Sequence, residues 1–328
     1  MNRRFALLQV VFSVIALAAV VWWASHQEAP TFPHTSGAIA WMVAATLLYT
    51  LATLIRAERW HRILEVTHIH STRADCYALT TVGYMGNNVL PARAGEVLRV
   101  VLMDQRATTD DGGKAGKRTL LGTIMAERIM DLIVLAVMTI VVGFGVLHEK
   151  DALPTGDRPL LVAGVGVGLV VIGLITLKVM NDRGQLTKLR DLARPLAGAP
   201  RALWGTAGIV PLAATVLLWG VEGSVYLTVA KAVDFNISAT GALYLVGLTN
   251  FVAALPAAPG SIGTFDAAVI FGSRVLGGSG GVVTSYVLLL RFILYIPITV
   301  VGLVVLVTRY GGWARLRDIT RLQQTSSA

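Results

Sequence analysis

The sequence contains little charge and a single cysteine, and both shortages restrict what the protein can be. Only 14 % of its 328 residues are Asp, Glu, Lys or Arg, whereas 55 % are apolar. A soluble domain needs roughly a quarter of its residues charged to cover its surface, so we expect no sizeable water-soluble domain. Because Cys76 is the only cysteine, the sequence predicts no intrachain disulfide and no thiol cluster for zinc or redox chemistry.

The sequence also lacks a nucleotide-binding motif, a recognisable nucleophile–base pair and a metal-ligand spacing. We therefore expect no catalytic residues, no metal and no cofactor, and we do not expect an enzyme. Any transport would be driven by a gradient or run downhill. The net charge of +9 does not predict nucleic-acid binding, because the basic residues cluster between apolar segments, as in the cytoplasmic loops of membrane proteins.

Long apolar segments take up most of the sequence. About 18 or more apolar residues are enough to cross ~30 Å of hydrocarbon, and we predict full spans at 5–24, 38–56, 119–147, 159–177, 205–230 and 282–308. The first is interpreted as a retained span rather than a signal peptide because of its length. Placing every basic cluster in the cytoplasm, including Arg56 and Arg59 in a loop after the second span, also places both termini there.

Two further segments must leave and return on the same side of the membrane. Residues 76–102 lie between two basic loops, and residues 239–275 return in the same way from the outer side. Each is a re-entrant hairpin or crosses the membrane twice. Both alternatives give an even number of crossings, so they leave the topology of the other spans unchanged. The first contains LPARAG at 90–95 and the second LPAAPG at 255–260, which match at four of six positions.

The other spans recur as well, at offsets of about 154 to 170 residues. Each half has three net crossings, so the second half enters from the opposite face, as in many secondary transporters. The fold class is therefore predicted to be all-α integral membrane, with six full transmembrane helices and two hairpins in an inverted-topology repeat. A single domain, 1–328, would comprise repeat halves 5–147 and 159–308 and a cytoplasmic tail at 309–328.

Both hairpins contain helix breakers. Asn87, Asn88 and the following proline favour a break near 87–90 and a new helix from Pro91, while Ser261 is a candidate cap for the helix that restarts in the second hairpin. Helix N-termini bind anions. The alternative is that the breaks only let helices pack closely.

Charged side chains inside the apolar segments are the candidate binding groups. A charge at the bilayer centre costs at least ~2.5–3.5 kcal/mol, so these residues should face one another, a wet cavity or a ligand. The alternative is a purely structural ion-pair network. The proximity of Glu127 and Asp131 on one helix face requires a cation, supplied by Arg93, Arg99 or Arg128. The complete candidate substrate-binding set is Asn87, Asn88, Arg93, Glu96, Arg99, Glu127, Arg128, Asp131, Glu222, Ser261, Asp266 and Arg291.

The run at 86–99, followed by Glu127, Arg128 and Asp131 and then by 256–263, resembles the lysylphosphatidylglycerol synthase transmembrane family. Its flippase-like domains also form the N-terminus of the multiple peptide resistance factor. The resemblance covers about 1–310 and implies a bacterial or archaeal cell-membrane protein that binds or translocates a phospholipid or another lipid-linked anion. The family's aminoacylating enzymes have a large soluble domain after the spans, so synthase activity is not expected for a sequence that stops at 328.

The favoured hypothesis is a lipid flippase in which Arg93, Arg99 and Arg128 contact a phosphate by charge-assisted hydrogen bonds. The alternatives are a lipid-binding scaffold or regulator for a separate lipid-modifying enzyme, a membrane enzyme acting on lipid head groups, and a small-ion transporter. The expected partners are a phospholipid or lipid-linked anion, a second copy in a homo-oligomer, or that separate enzyme. The head group, direction and energy source are left open.

Overall fold

A computed structural model describes Trp22 and residues 34–90, 93–148, 196–253 and 259–312. The predicted spans at 5–24 and 159–177 lie outside these residues, apart from Trp22, and so do residues 313–328 of the predicted tail. Most of the second motif, residues 255–258, also lies outside them. The remaining predictions can be compared with the structure.

The first series of elements consists of helices α1 Ser36–Val66, α2 Arg73–Val89, α3 Ala94–Met103 and α4 Lys117–His148. Two short antiparallel strands, β1 Ile69–His70 and β2 Thr108–Thr109, join the loops before α2 and after α3. The α2–α3 pair is the first predicted hairpin.

The second series begins with α5 Gly198–Ala202 and a 3₁₀ turn at Thr206–Gly208. It continues with α6 Ile209–Ala232, α7 Ala239–Ala253, a 3₁₀ turn at Pro259–Ser261, α8 Thr264–Val275 and α9 Gly280–Tyr310. A long helix, two shorter helices and a second long helix thus follow one another in both series. The inverted orientation of the two series stays a prediction.

The chain is an integral membrane protein. Among the described residues, three helical stretches are long and apolar enough to cross a membrane: Ser36–Val66, Thr206–Ala232 and Gly280–Tyr310. Their outward faces are apolar. On α9, for example, Leu288, Phe292, Ile296 and Val300 are exposed at four-residue intervals, which is one face of a helix. Such a surface suits contact with lipid.

The first hairpin breaks because of local backbone chemistry. Leu90 is extended (φ −97°, ψ 147°), as the residue before a proline tends to be. Arg93 then adopts a left-handed conformation (φ 53°) and α3 begins at Ala94, whereas the predicted helix start at Pro91 lies outside the described residues. The two arms touch at glycines: a Cβ on Gly95 would lie 2.0 Å from the Gly83 carbonyl oxygen.

The second hairpin restarts differently from the sequence-based expectation. Gly260 and Ser261 both have positive φ, 63° and 50°, and α8 begins only at Thr264. The carboxylate of Asp266 caps this helix by accepting a hydrogen bond from the Gly263 backbone N–H at 2.9 Å. The prediction that Ser261 caps the restarted helix is therefore wrong.

The two series pack into each other. Helix α1 lies along α6, α2 packs against α9, and α7 packs against α4. One buried apolar cluster is formed mainly by the second series but includes Ala45 and Leu135 of the first. A second is formed by the first series but includes Leu306 and Tyr310 of α9, and a third joins Ile63 and Met130 to Leu203. Because each core takes side chains from both series, neither series has a core of its own.

Candidate functional site

Helix α1 extends well beyond its predicted end and places two arginines inside the protein. No glycine or proline occurs between 38 and 66, and the helix continues to Val66. Arg56 and Arg59 are only 6 % and 2 % exposed. The prediction that they lie in a polar cytoplasmic loop is therefore wrong, because a charged residue ended the apolar run without ending the helix.

Arg59 is the centre of a buried ion-pair network between α1 and α4. Its guanidinium donates to the Asp131 carboxylate at 2.5 and 3.3 Å, and its Nη2 lies 3.5 Å from Glu127 Oε1. It also donates to the Thr215 hydroxyl of α6 at 2.9 Å. Arg59 thus supplies the cation that the proximity of Glu127 and Asp131 requires, a role that the sequence analysis had given to other arginines.

Arg99 reaches the same network from the broken hairpin. Its Nη1 lies 2.9 Å from Glu127 Oε2, and its guanidinium carbon lies 3.5 Å from the centre of the Trp60 ring. A guanidinium over an indole face is a favourable cation–π arrangement. Arg99 is 4 % exposed, so α3 has a positive charge on its buried face.

Arg128 forms the accessible edge of the network. Its Nε lies 3.2 Å from Glu96 Oε1 and its Nη1 3.3 Å from Asp131 Oδ2. The Arg128 side chain is 36 % exposed, in contrast to 5 % for Arg99. A molecule that approaches the network from this side therefore meets Arg128 before it meets Arg99.

Arg56 joins the two series directly. Its guanidinium forms a buried ion pair with Glu222 of α6, and it lies 5.8 and 5.3 Å from the ring centres of Tyr49 and Tyr84. The ion pair is enclosed by aromatic side chains and has little contact with solvent. Because both charges are buried, neither can be removed without leaving the other uncompensated.

Several guanidinium nitrogens in this network have no acceptor. Within the described part of the chain, Arg56 Nη1, Arg59 Nε and both Nε and Nη2 of Arg99 are buried and have no hydrogen-bond partner. The Asn87 Oδ1 atom is buried and unpaired as well. A buried unsatisfied polar group costs about 1–3 kcal/mol, and more when it is charged. Among the described residues, the carboxylate oxygens Glu96 Oε1 and Glu127 Oε2 are buried and lack a hydrogen-bond partner as well, so unsatisfied donors and acceptors occur in the same network.

The site consists of buried arginines beside a broken helix in an apolar helical bundle. Comparison with protein-family sequences assigns the chain that contains it to a family. The model of the lysylphosphatidylglycerol synthase TM region matches residues 7–302. The chain belongs to that family. The family resemblance inferred from the motifs is thereby confirmed, whereas the specific likeness to the multiple peptide resistance factor stays a prediction.

One relative is similar to about half of the chain. The chain is 24 % identical over 193 residues to the UPF0104 membrane protein PH1989 of Pyrococcus horikoshii, over 57 % of this chain and 54 % of that protein. The chain thus spans about half the length of this curated relative. No solved structure matches the chain.

The structure brings together five of the twelve candidate residues of this family member in one ion-pair network around Arg59, and a sixth pairs with Arg56. Five come from the first series and one, Glu222, from the second. The sequence analysis missed Arg56 and Arg59 as site residues, although the absence of a helix breaker after them was visible. The six residues are Glu96, Arg99, Glu127, Arg128, Asp131 and Glu222.

Arg93 and Asn88 lie where the two hairpins meet. The Arg93 Nη2 donates to the Ala253 carbonyl at 2.6 Å, and the Asn88 side-chain nitrogen donates to Thr299 Oγ1 of α9 at 2.9 Å. A Cβ on Gly260 would lie 3.3 Å from the Asn88 carbonyl oxygen. The two chain breaks are therefore adjacent.

Asp266 and Arg291 form a separate pair in the second hairpin. They are joined by two hydrogen bonds of 2.7 Å, and Arg291 Nη1 also donates to the Gly260 carbonyl at 3.2 Å. Among the described residues, no hydrogen bond or ion pair joins them to the network around Arg59. Ser261 lies in the turn beside them and Asn87 packs against Gly95.

Proposed function

We propose that the protein binds the phosphate of an anionic phospholipid or lipid-linked anion at the arginine network and moves that lipid across the cell membrane. The observation that carries the proposal is the set of buried guanidinium N–H groups without acceptors on Arg56, Arg59 and Arg99. Arginine guanidinium groups match phosphate geometry and bind it through paired, charge-assisted hydrogen bonds.

The different exposures of the arginines suggest an order of contact. Arg93 is exposed and Arg128 is partly exposed, so these two would meet a head group first. Arg99 lies deeper, over Trp60. A phosphate that displaced Glu96 or Glu127 from an arginine would accept hydrogen bonds from that guanidinium. In a buried site of low dielectric such hydrogen bonds are stronger than in water.

Movement would come from two inverted halves that rock against each other. The contacts between the helices support this proposal, because α2 packs against α9 as α7 packs against α4. The ends of α1 and α6, Val66 and Ala232, differ by 166 positions, and so do Arg56 and Glu222. Residues at equivalent positions are expected to meet where a two-fold axis passes between the halves.

A lipid-binding scaffold for a separate lipid-modifying enzyme is the second candidate. The network around Arg59 and the separate Arg56–Glu222 pair together contain four arginines and four carboxylates, so their charges are balanced. These residues are Arg56, Arg59, Arg99 and Arg128 with Glu96, Glu127, Asp131 and Glu222. A balanced, largely buried network could hold a lipid without moving it. This candidate predicts a stable lipid complex without flux.

The experiment is reconstitution in vesicles that contain a head-group-labelled phosphatidylglycerol, with Arg99→Gln and Arg128→Gln as variants. Arg62→Gln is the matched control, since Arg62 lies on α1 but its half-exposed side chain pairs, within the described part of the chain, with Glu58 and Glu65 alone. We expect each network variant to slow translocation about tenfold, which corresponds to the loss of one charged hydrogen bond.

Wild-type rates in both network variants would overturn the proposal. Retained binding of the labelled lipid without translocation by the wild-type protein would favour the scaffold. Conversion of the labelled lipid to a new product by the purified protein alone would favour an enzyme.

A further inference from the structure

Each hairpin has an acidic residue and an arginine at equivalent places. Glu96 is the third residue of α3 and Asp266 the third residue of α8. Their partners are Arg128, the twelfth residue of α4, and Arg291, the twelfth residue of α9. In both series, therefore, an arginine on the following long helix contacts the first turn of the restarted helix.

The second pair is fully engaged. Arg291 donates to both carboxylate oxygens of Asp266 at 2.7 Å, which is the bidentate geometry that arginine favours. The same carboxylate accepts from the Gly263 N–H and caps α8. Arg291 also holds the Gly260 carbonyl. The Asp266–Arg291 ion pair thus connects the turn at 259–261, helix α8 and helix α9.

The first pair has the same partners in a looser arrangement. Arg128 Nε and Glu96 Oε1 lie 3.2 Å apart but do not have hydrogen-bond geometry. Among the described residues, no side-chain hydrogen bond caps α3, whose N-cap residue is Arg93. Glu96 therefore neither binds its arginine in the bidentate manner nor caps its own helix, although Asp266 does both.

A rival carboxylate explains why the first pair can be released. Arg128 is shared with Asp131, at 3.3 Å. On α9 the position equivalent to Asp131, 163 residues later, is occupied by Leu294, so Arg291 has no such competitor. Arg128 can exchange between two carboxylates, whereas Arg291 pairs with one.

We propose that Glu96–Arg128 and Asp266–Arg291 are equivalent latches on the two hairpins, with the second latch closed in a bidentate pair and the first held only by a loose ion contact in this conformation. When the two halves exchange conformations, Glu96 closes on Arg128 and caps α3, while Asp266 leaves Arg291. The exchange rests on the proposed movement of two inverted halves, but it can be measured without lipid transport.

The test measures how fast a maleimide reacts with single cysteines in a Cys76→Ser background of the purified full-length protein. Ser261→Cys reports on the second turn and Ala94→Cys on the first, and both positions are partly buried. We expect Asp266→Asn to raise the Ser261→Cys rate about tenfold and to lower the Ala94→Cys rate, because the loss of a charged hydrogen bond shifts a local opening equilibrium by that order. Glu96→Gln should change the Ala94→Cys rate less than about twofold, because Glu96 makes only a loose ion contact with Arg128 and does not cap α3.

Asp234→Asn is the matched control, a carboxyl-to-amide change in the exposed turn before α7, and it should change neither rate. If Asp266→Asn does not elute as a folded protein, Arg291→Lys replaces it, since lysine retains the charge but not the bidentate contact.

An unchanged Ser261→Cys rate in the second-latch variant would overturn the proposal, as would a rise at Ser261→Cys without the opposite change at Ala94→Cys. Opposite changes of the two labelling rates, together with no lipid translocation in vesicles, would support the latches and reject lipid translocation. Successful lipid translocation without reciprocal labelling would reject the latches alone.

Discussion

The buried pair of Arg56 and Glu222 allows the role of the network in stability to be separated from its role in binding. Both side chains are 7 % exposed and they join helices of the two series. We consider three variants: Arg56→Met, Glu222→Leu and the double replacement. The single changes leave one buried charge unpaired, whereas the double change removes both charges and fills their volume with apolar atoms.

The expected magnitudes differ strongly between the single and double variants. Removing one member of a buried ion pair destabilises a protein by about 3–5 kcal/mol, whereas replacing both by apolar side chains of similar volume is often neutral or stabilising by about 1–4 kcal/mol. Glu222→Leu should be the more damaging single change, because a lone carboxylate can bind a proton whereas a lone guanidinium stays charged.

The assay is thermal unfolding of the purified protein in detergent, followed by tryptophan fluorescence. We expect both single variants to unfold well below the wild type and the double variant to unfold near it or above it. A double variant as unstable as the sum of the two single variants would refute the reasoning, because it would mean that the two charges do not interact. Single variants with wild-type unfolding temperatures would refute it as well.

Three further predictions concern other contacts. Gly95→Ala should destabilise the fold by about 1–3 kcal/mol, because its Cβ would lie 2.0 and 2.5 Å from backbone atoms. Gly220→Ala has open space around the new Cβ and should not destabilise the fold. Thermal unfolding compares the two variants. Arg99→Lys should weaken binding of anionic lipid in a titration, because lysine loses both the planar stack on Trp60 and the forked donors. Asp75→Asn should speed hydrogen exchange at the end of α9, because the carboxylate holds Arg309 at 2.8 Å.

The membrane class, the helices and both chain breaks could be predicted from composition and from breaker residues. Apolar runs predicted α1, α6 and α9, and the proline after Leu90 predicted the end of α2. The points of helix restart could not be predicted, since they depend on left-handed residues such as Arg93 and Ser261. Nothing in the local sequence requires a positive φ at either position.

Half of the candidate residues belong to the ion-pair network around Arg59 or pair with Arg56 in the structure, and they were selected because a charge inside an apolar segment needs a partner. Arg56 and Arg59 were missed because hydropathy locates the end of an apolar run rather than the end of a helix. The partners could not be assigned either. Helical spacing restricts which side chains share a face, but the contact of Arg59 with Asp131 joins residues 72 positions apart. Such a contact depends on how α1 packs against α4.

The central claim is that an anionic lipid binds the arginine network, and native mass spectrometry of the purified protein tests it most directly. The protein is titrated with phosphatidylglycerol and, separately, with zwitterionic phosphatidylcholine. We expect preferential retention of phosphatidylglycerol, reduced about tenfold when Arg99 and Arg128 are both changed to Gln and unchanged in Arg62→Gln. Equal retention of both lipids, or undiminished retention by the double variant, would contradict the account.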